Sequence, residues 1–273
     1  MKNMYILPER VNQVLNPYFN LINSQLPSIF EGFYLSGSIS LRAYDKKYSD
    51  IDFVAVTNRE LTKQDITILK KVHSIIKKRF RDTDLDGIYI QKNHLDSSDQ
   101  LSNSCLGFLD GKQKSKSFAI NSIDAYQLKR YGITLIGQEP VIINYEVNWD
   151  ILLKGMLLNL NTYWQNWRNS CDRILSSRFI GSYFSLQQIE WGVTGVSRLY
   201  YTFRERDITS KIGAAEYALK TVPKRWHMII NESMRLRKGN PKSYYKSIIQ
   251  RRSDALGYID YIIRESNHLF KIN

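Results

Sequence analysis

The chain has 273 residues, 43% hydrophobic and 24% charged, enough for two modest hydrophobic cores in an ordinary globular composition. Two cysteines, Cys105 and Cys171, lack CxxC spacing, and the four histidines show no i,i+4 pairing, which argues against a disulfide framework, a zinc site or a histidine metal site. No run reaches the roughly 18–20 apolar residues of a membrane helix, and Met1–Arg10 carries Pro8 and no signal-peptide core, so the expected compartment is a reducing cytoplasm with no membrane partner.

Residues 8–25 place Val11, Val14, Leu15, Tyr18, Leu21 and Ile22 at helical spacing, with a break or kink expected at Pro17. Phe33-Tyr34-Leu35 reads as a short strand that stops at Ser36-Gly37-Ser38, and Ile51–Val56 as a second strand rich in branched and aromatic residues. From Leu61 to Phe80 the pattern Leu69, Val72, Ile76, Phe80 is helical, with lysines on the opposite face. Leu85–Ile90 gives a third strand. The alternation predicts a small α/β domain over residues 1–147, a mixed sheet covered by helices.

Beyond residue 148 the strand signals fade. Residues 150–176, 185–205, 211–221 and 243–269 carry helical periodicity, so 148–273 is expected to be all-helical. Ser185 with Gln188 suggests a capping box, and Thr209-Ser210 a further cap. Pro223 and Pro241 are expected near later helix starts. The net charge of +13 is uneven: residues 1–147 hold 19 Lys and Arg against 16 Asp and Glu, and residues 148–273 hold 20 against 10. A basic half suits nucleic acid, a nucleotide's phosphates, or simply a solvated helical surface.

The stretch richest in chemistry is Leu35-Ser36-Gly37-Ser38, followed after eleven residues by Asp50-Ile51-Asp52-Phe53-Val54-Ala55-Val56. Two residues apart on a strand, the carboxylates of Asp50 and Asp52 point to one face, where they can share hard divalent cations with phosphate oxygens. Gly37 lets the backbone approach a ligand closely, and Ser38 offers a hydroxyl and free amides to phosphate. Gly-Ser alone means little, and Asp-x-Asp is often an exposed turn. Both acids, however, lie in an otherwise apolar strand, where unpaired carboxylates are costly unless a cation meets them.

This joint pattern resembles the signature of the polymerase-β-type nucleotidyltransferase superfamily. Tyr34-Leu35-Ser36-Gly37-Ser38 and Ser49-Asp50-Ile51-Asp52-Phe53-Val54-Ala55-Val56 are similar, more narrowly, to bacterial aminoglycoside adenylyltransferases of the spectinomycin/streptomycin branch. Ser197-Arg198-Leu199-Tyr200-Tyr201-Thr202, Ser210-Lys211 and Ala214-Ala215-Glu216-Tyr217-Ala218 resemble the helical C-terminal domain of the same enzymes. The resemblance implies Mg²⁺ held by Asp50, Asp52 and Asp86, with Asp86 as metal ligand, base or both, where that branch usually has Glu. It implies ATP bound through Gly37, Ser38 and Ser49, with Arg198 and Lys211 on the triphosphate, where cations stabilise a departing pyrophosphate. Glu190 and Trp191 are candidates for the acceptor pocket, the carboxylate for ammonium groups and the ring for packing on the sugar or cyclitol; a helix-start Glu favoured by the dipole is the plainer alternative.

The expected activity is transfer of AMP from ATP to a hydroxyl of an aminoglycoside-type antibiotic. Residues 91–120 lack the tryptophan that dual-specificity relatives carry there, which favours spectinomycin over streptomycin. The alternatives are an RNA acceptor, another small molecule, or a helical binding module on an inactive α/β scaffold. The intact Gly37, Ser38, Asp50 and Asp52 speak against the last. Asp82-x-Asp84-x-Asp86-Gly87 mimics an EF-hand opening, but Asn93 stands where that loop needs Glu.

Overall fold

The computed structural model describes residues 6–95 and 103–270, so Met1–Tyr5, part of the stretch read for a targeting signal, lies outside the described residues. The chain divides into two compact units, Met1–Asn148 and Trp149–Asn273. Among the described residues no helix is long and apolar enough to cross a membrane.

The first unit runs α1 (Glu9–Gln25), β1 (Phe30–Leu35), α2 (Gly37–Ser40), β2 (Ile51–Thr57), α3 (Lys63–Arg79), β3 (Leu85–Gln91), α4 (Lys92–Leu95), β4 (Asn103–Leu109), β5 (Lys112–Phe118), α5 (Ile123–Tyr131) and β6 (Ile133–Ile136). The six strands form one mixed sheet in the order β5-β4-β3-β2-β1-β6, with β2 and β3 parallel and the other pairs antiparallel. Side chains alternate across a strand. Ile51, Phe53 and Ala55 therefore join Val11, Tyr18, Leu69, Val72 and Ile76 in a core on one face, while Val54 and Val56 join Tyr34, Ala125, Leu128 and Tyr145 on the other. Asp52 shares the second face.

α1 continues through Pro17 where a break or kink was expected. Its buried stripe Val11, Val14, Leu15, Tyr18, Ile22 spans the proline, so burial outweighs one missing backbone bond. α3 opens on a capping box: the Thr62 hydroxyl accepts the Asp65 N–H at 3.2 Å and Asp65 Oδ2 accepts the Thr62 N–H at 2.8 Å. Inside the aromatic core runs a buried polar chain, Tyr18 Oη to Tyr89 Oη at 2.7 Å and on to His73 Nε2 at 2.8 Å, with His73 stacked on Phe108 at 3.7 Å. The β4–β5 hairpin turns at Asp110-Gly111, both at positive φ (52° and 67°), which such two-residue turns favour.

The second unit is helical: α6 (Trp149–Asn159), a π-helical segment (Leu160–Trp164), α7 (Gln165–Ser170), α8 (Ser177–Phe184), α9 (Leu186–Glu205), α10 (Lys211–Thr221), α11 (His227–Arg237) and α12 (Ile248–Leu269). Ser185 Oγ accepts the Gln188 N–H at 3.1 Å and Ser210 Oγ accepts the Gly213 N–H at 3.0 Å, capping α9 and α10. Pro223 precedes the 3-10 turn Lys224–Trp226 as expected. Pro241, in contrast, lies in irregular chain, and α12 begins at Ile248 under a Ser247 cap. That irregular segment is fastened by Glu232, fully buried, which accepts from Arg235 at 2.8 and 2.9 Å, Ser243 Oγ at 2.8 Å and the Tyr244 N–H at 3.0 Å.

Candidate active site

Parallel pairing of β2 with β3 sets Asp52 directly beside Asp86 in register. Asp50, exposed, stands just before β2, outside the strand that was expected to carry both acids. All three carboxylates line one cavity of about 270 Å³, together with Ser36, Lys116, Asp124 and Gln127 among others. The acids at 82, 84 and 86 separate by partner. Asp82 pairs with Arg10 and Asp84 with Lys77, and Asp86 is the one that lines the cavity. Asp86 is 8% exposed, and its Oδ1 accepts the Asp110 N–H at 2.9 Å. Burial first, with the neighbouring charges of Asp50, Asp84 and Asp110, pushes its pKa up to about 6 against the pull of that hydrogen bond.

Gly37 sits at φ 59°, left-handed backbone that glycine adopts without steric cost. A Cβ built there would fall 1.8 Å from Asp52 Oδ2, so no other residue permits this approach of turn to carboxylate without a shift. The turn is fastened by Ser36 N–H donating to Asp52 O at 2.9 Å and Ala43 N–H donating to Ser38 O at 2.8 Å. Ser38 Oγ is buried with no hydrogen-bond partner. Ser49, in contrast, is occupied: its hydroxyl accepts the Asp45 N–H at 3.0 Å, closing the loop that delivers Asp50.

In the second unit Glu190, Arg198 and Lys211 come together, and Arg237 of α11 joins them. Glu190 is 7% exposed, with Lys211 Nζ at 3.6 Å and Arg237 Nη1 at 3.8 Å from its Oε1, while the Thr194 hydroxyl donates to the same oxygen at 3.3 Å. Burial lowers the Lys211 pKa; Glu190 opposes this, and Arg237 and Arg198 lower it further. The cluster sets three cations around one buried carboxylate. Trp191 stands apart from Glu190's partners, stacked on Trp164 at 4.6 Å and near Trp167 at 5.4 Å. Gly192 and Gly195 make room for these rings, since a Cβ at Gly195 would fall 2.3 Å from Trp164 and one at Gly192 3.0 Å from Trp167.

Asp124, Gln127, Lys116 and Arg237 were not read from the sequence. Asp124 and Gln127 had a signal: Ser122 caps α5, its hydroxyl accepting the Ala125 N–H at 3.2 Å, which puts both residues in the first turns of a helix. Lys116 had none. It belongs to the edge strand β5, whose lysines and serines show no apolar alternation, and its stem crosses Gly107, where a Cβ would meet Lys116 Cγ at 2.2 Å.

Among the described residues no group of three or more His, Cys, Asp or Glu side chains is gathered to hold a metal ion. The three-carboxylate ligand set expected of Asp50, Asp52 and Asp86 is thus not assembled by these side chains alone. Mg²⁺ dehydrates reluctantly and takes one or two protein carboxylates, completing its shell with water and phosphate. Asp50 and Asp52, which line one cavity, fit such a shared ion; the buried, partnerless Ser38 hydroxyl is not among the residues that line it.

These features have a counterpart among known proteins. Residues 190–262, which hold the Glu190–Arg198–Lys211–Arg237 cluster, match the family described as aminoglycoside adenylyltransferase, C-terminal domain. Among solved structures the chain is similar to spectinomycin adenyltransferase AAD(9) from Enterococcus faecialis, determined with ATP and spectinomycin, at 14% identity and a TM-score of 0.68 over 92% of this chain and 98% of that one. No curated protein sequence matches. The chain therefore resembles aminoglycoside adenylyltransferases in the sequence of its second unit and in its fold.

Proposed function

We propose that the chain is a nucleotidyltransferase that moves AMP from ATP to a hydroxyl of a small, ammonium-bearing acceptor of the aminoglycoside type, with spectinomycin favoured over streptomycin. The observation that carries this is the cavity in which Asp50, Asp52 and Asp86 meet beside the positive-φ Gly37 turn. Asp50 and Asp52 are the residues that would hold Mg²⁺, whose chemistry there is to offset the charge of the phosphates. Ser38 and the amides of its turn grip phosphate oxygens. Lys211, Arg198 and Arg237 supply positive charge for the triphosphate, so that Glu190 serves to hold Lys211 and Arg237 in place.

Asp86 is the base. It stands in register beside Asp52 in the cavity wall, one oxygen fixed by the Asp110 N–H. The acceptor's hydroxyl proton passes to Asp86 while its oxygen forms a bond to the α-phosphorus. The bond from that phosphorus to the α–β bridging oxygen breaks, and the electron pair leaves with pyrophosphate. Asp124, with the other three carboxylates, gives the wall an acidic character suited to a cationic acceptor. A locally acidic wall lets a protein of net charge +13 receive a cationic substrate.

An RNA acceptor is the second reading, favoured by the 20 Lys and Arg against 10 Asp and Glu of residues 148–273. It predicts polynucleotide binding that weakens steeply with salt. The deciding assay is pyrophosphate release from ATP and Mg²⁺ across spectinomycin, streptomycin, other aminoglycosides and a short RNA. Release that depends on spectinomycin supports the proposal; release with RNA alone replaces it; release with none of them removes both acceptors.

A further inference from the structure

One buried polar side chain near the cavity is used by none of the steps above. Gln127 of α5 is 7% exposed, and its Nε2 donates to the Gly37 carbonyl at 2.7 Å and to Ser40 Oγ at 2.9 Å. The Ser40 hydroxyl in turn donates to the same Gly37 carbonyl at 3.1 Å, and the Leu41 N–H reaches it at 3.3 Å. Three donors thus converge on one peptide oxygen. The Gly37–Ser38 peptide is planar and trans, so fixing its C=O fixes its N–H in the opposite direction. Glycine, the residue least able to hold a backbone conformation by itself, is here held in part by a side chain ninety residues away in sequence.

We infer that Gln127 is a positioning residue for nucleotide binding: it sets the Gly37–Ser38 peptide, and with it the Ser38 N–H and hydroxyl, in the orientation that receives phosphate. The inference rests on the proposed function and names the group that prepares its phosphate site. Gln127 lines the cavity with its Nε2 committed to the Gly37 carbonyl and Ser40 Oγ. A purely structural role would lower stability and affect both substrates alike. A positioning role weakens ATP binding and spares the acceptor.

The test is calorimetric titration of the full chain with MgATP, comparing wild type with Gln127→Leu, which keeps the bulk and removes the donor. KM values for ATP and for the acceptor are measured beside it. The expected result is a Kd and KM for ATP raised about tenfold, the loss of roughly one hydrogen bond's net effect, with the acceptor KM within about twofold of wild type. Ser40→Ala, which leaves Gln127 in place and removes one donor to Gly37, shifts ATP binding in the same direction by about threefold and serves if Gln127→Leu does not fold. Wild-type binding of ATP with neither variant weakened overturns this inference and leaves the proposed function standing. A proportional rise in both KM values also overturns it. Failure of the wild-type chain to bind MgATP overturns the proposed function and this inference together.

Discussion

In the first unit the carboxylates Asp50, Asp52, Asp86 and Asp124 line a cavity beside Lys116, whereas in the second unit one buried carboxylate, Glu190, stands among Lys211, Arg237 and Arg198. The first cluster is mostly acidic and the second mostly basic, and in each a buried group has a displaced pKa. Asp86 is pushed up by burial and neighbouring acids, and Lys211 is pushed down by burial and neighbouring cations. Displaced pKa values of this kind mark candidate functional sites. An acidic wall needs a cation, a metal ion or an acceptor's ammonium. A cationic cluster needs an anion, for which a triphosphate is suited. Under the proposed function, the carboxylates of the first cluster do the chemistry and the cations of the second bind phosphate.

The largest effect expected from breaking this division is at Asp52. Asp52→Asn keeps the shape and removes the charge, and is expected to lower kcat by about a thousandfold, the scale seen when one charge-stabilising group is lost, with an unchanged melting temperature. Near-normal turnover would remove Asp52 from the machinery. Gly37→Ala comes next. Its Cβ would stand 1.8 Å from Asp52 Oδ2 at a φ of 59°, so turn and carboxylate cannot both keep their places. A loss of about a hundredfold in kcat/KM is expected, with about 1–2 kcal/mol of stability lost to backbone strain. Full activity in this variant would show that the close approach has no role.

Glu190→Gln sharpens the comparison from the other side. If Glu190 positions Lys211 and Arg237, the variant changes the KM for ATP by about tenfold, the scale of one charge-assisted contact, and leaves the acceptor KM alone. A change confined to the acceptor would return Glu190 to the acceptor pocket.

These clusters were unequally legible in the sequence. Asp50, Asp52 and Gly37 could be read because strand alternation and a single glycine fix their geometry within a short segment. Asp86 was reachable only through the family resemblance, since Asp-Gly by itself reads as a turn; the pairing of β2 with β3 is what sets it beside Asp52. Gln127, Asp124 and Lys116 come from α5 and β5, and what places them is sheet order and a hairpin, which are tertiary facts. Arg237 looked like one more cation in a lysine-rich half. Pro17 shows the same limit in the fold, since a local helix-breaking rule gave way to the burial of Tyr18 and Ile22. The clustering of Trp164, Trp167 and Trp191 depends on which helices meet across Gly192 and Gly195, which helical periodicity does not specify.

The smallest expected effect separates the two units by acid. Burial holds His73 neutral, its pKa lowered from 6.5 to about 3, so the folded first unit takes up no proton there while the unfolded chain does. The stability it contributes is complete above about pH 6.5 and is lost progressively as pH falls toward 3, by up to about 1.4 kcal/mol per unit. The Glu232 pKa is lowered by Arg235, Tyr244 N–H and Ser243 against the opposing effect of burial, so its contribution to the second unit is complete above the ordinary value of 4.5 and fails only below it. Asp86, its pKa raised to about 6, returns stability to the first unit as pH falls and so opposes the His73 loss; in Asp86→Asn, which removes that gain, the first unit should weaken ahead of the second between pH 6.5 and 4.5. Urea titrations followed by amide exchange at each pH would show this, and His73→Phe should remove the difference. Equal weakening of both units would contradict it.

The most direct test of the central claim is mass analysis of spectinomycin after incubation with the full chain, ATP and Mg²⁺. The account predicts an acceptor that gains one adenylyl group with wild type and none with Asp52→Asn. Unmodified acceptor with the wild-type chain, or equal modification by the variant, would contradict it.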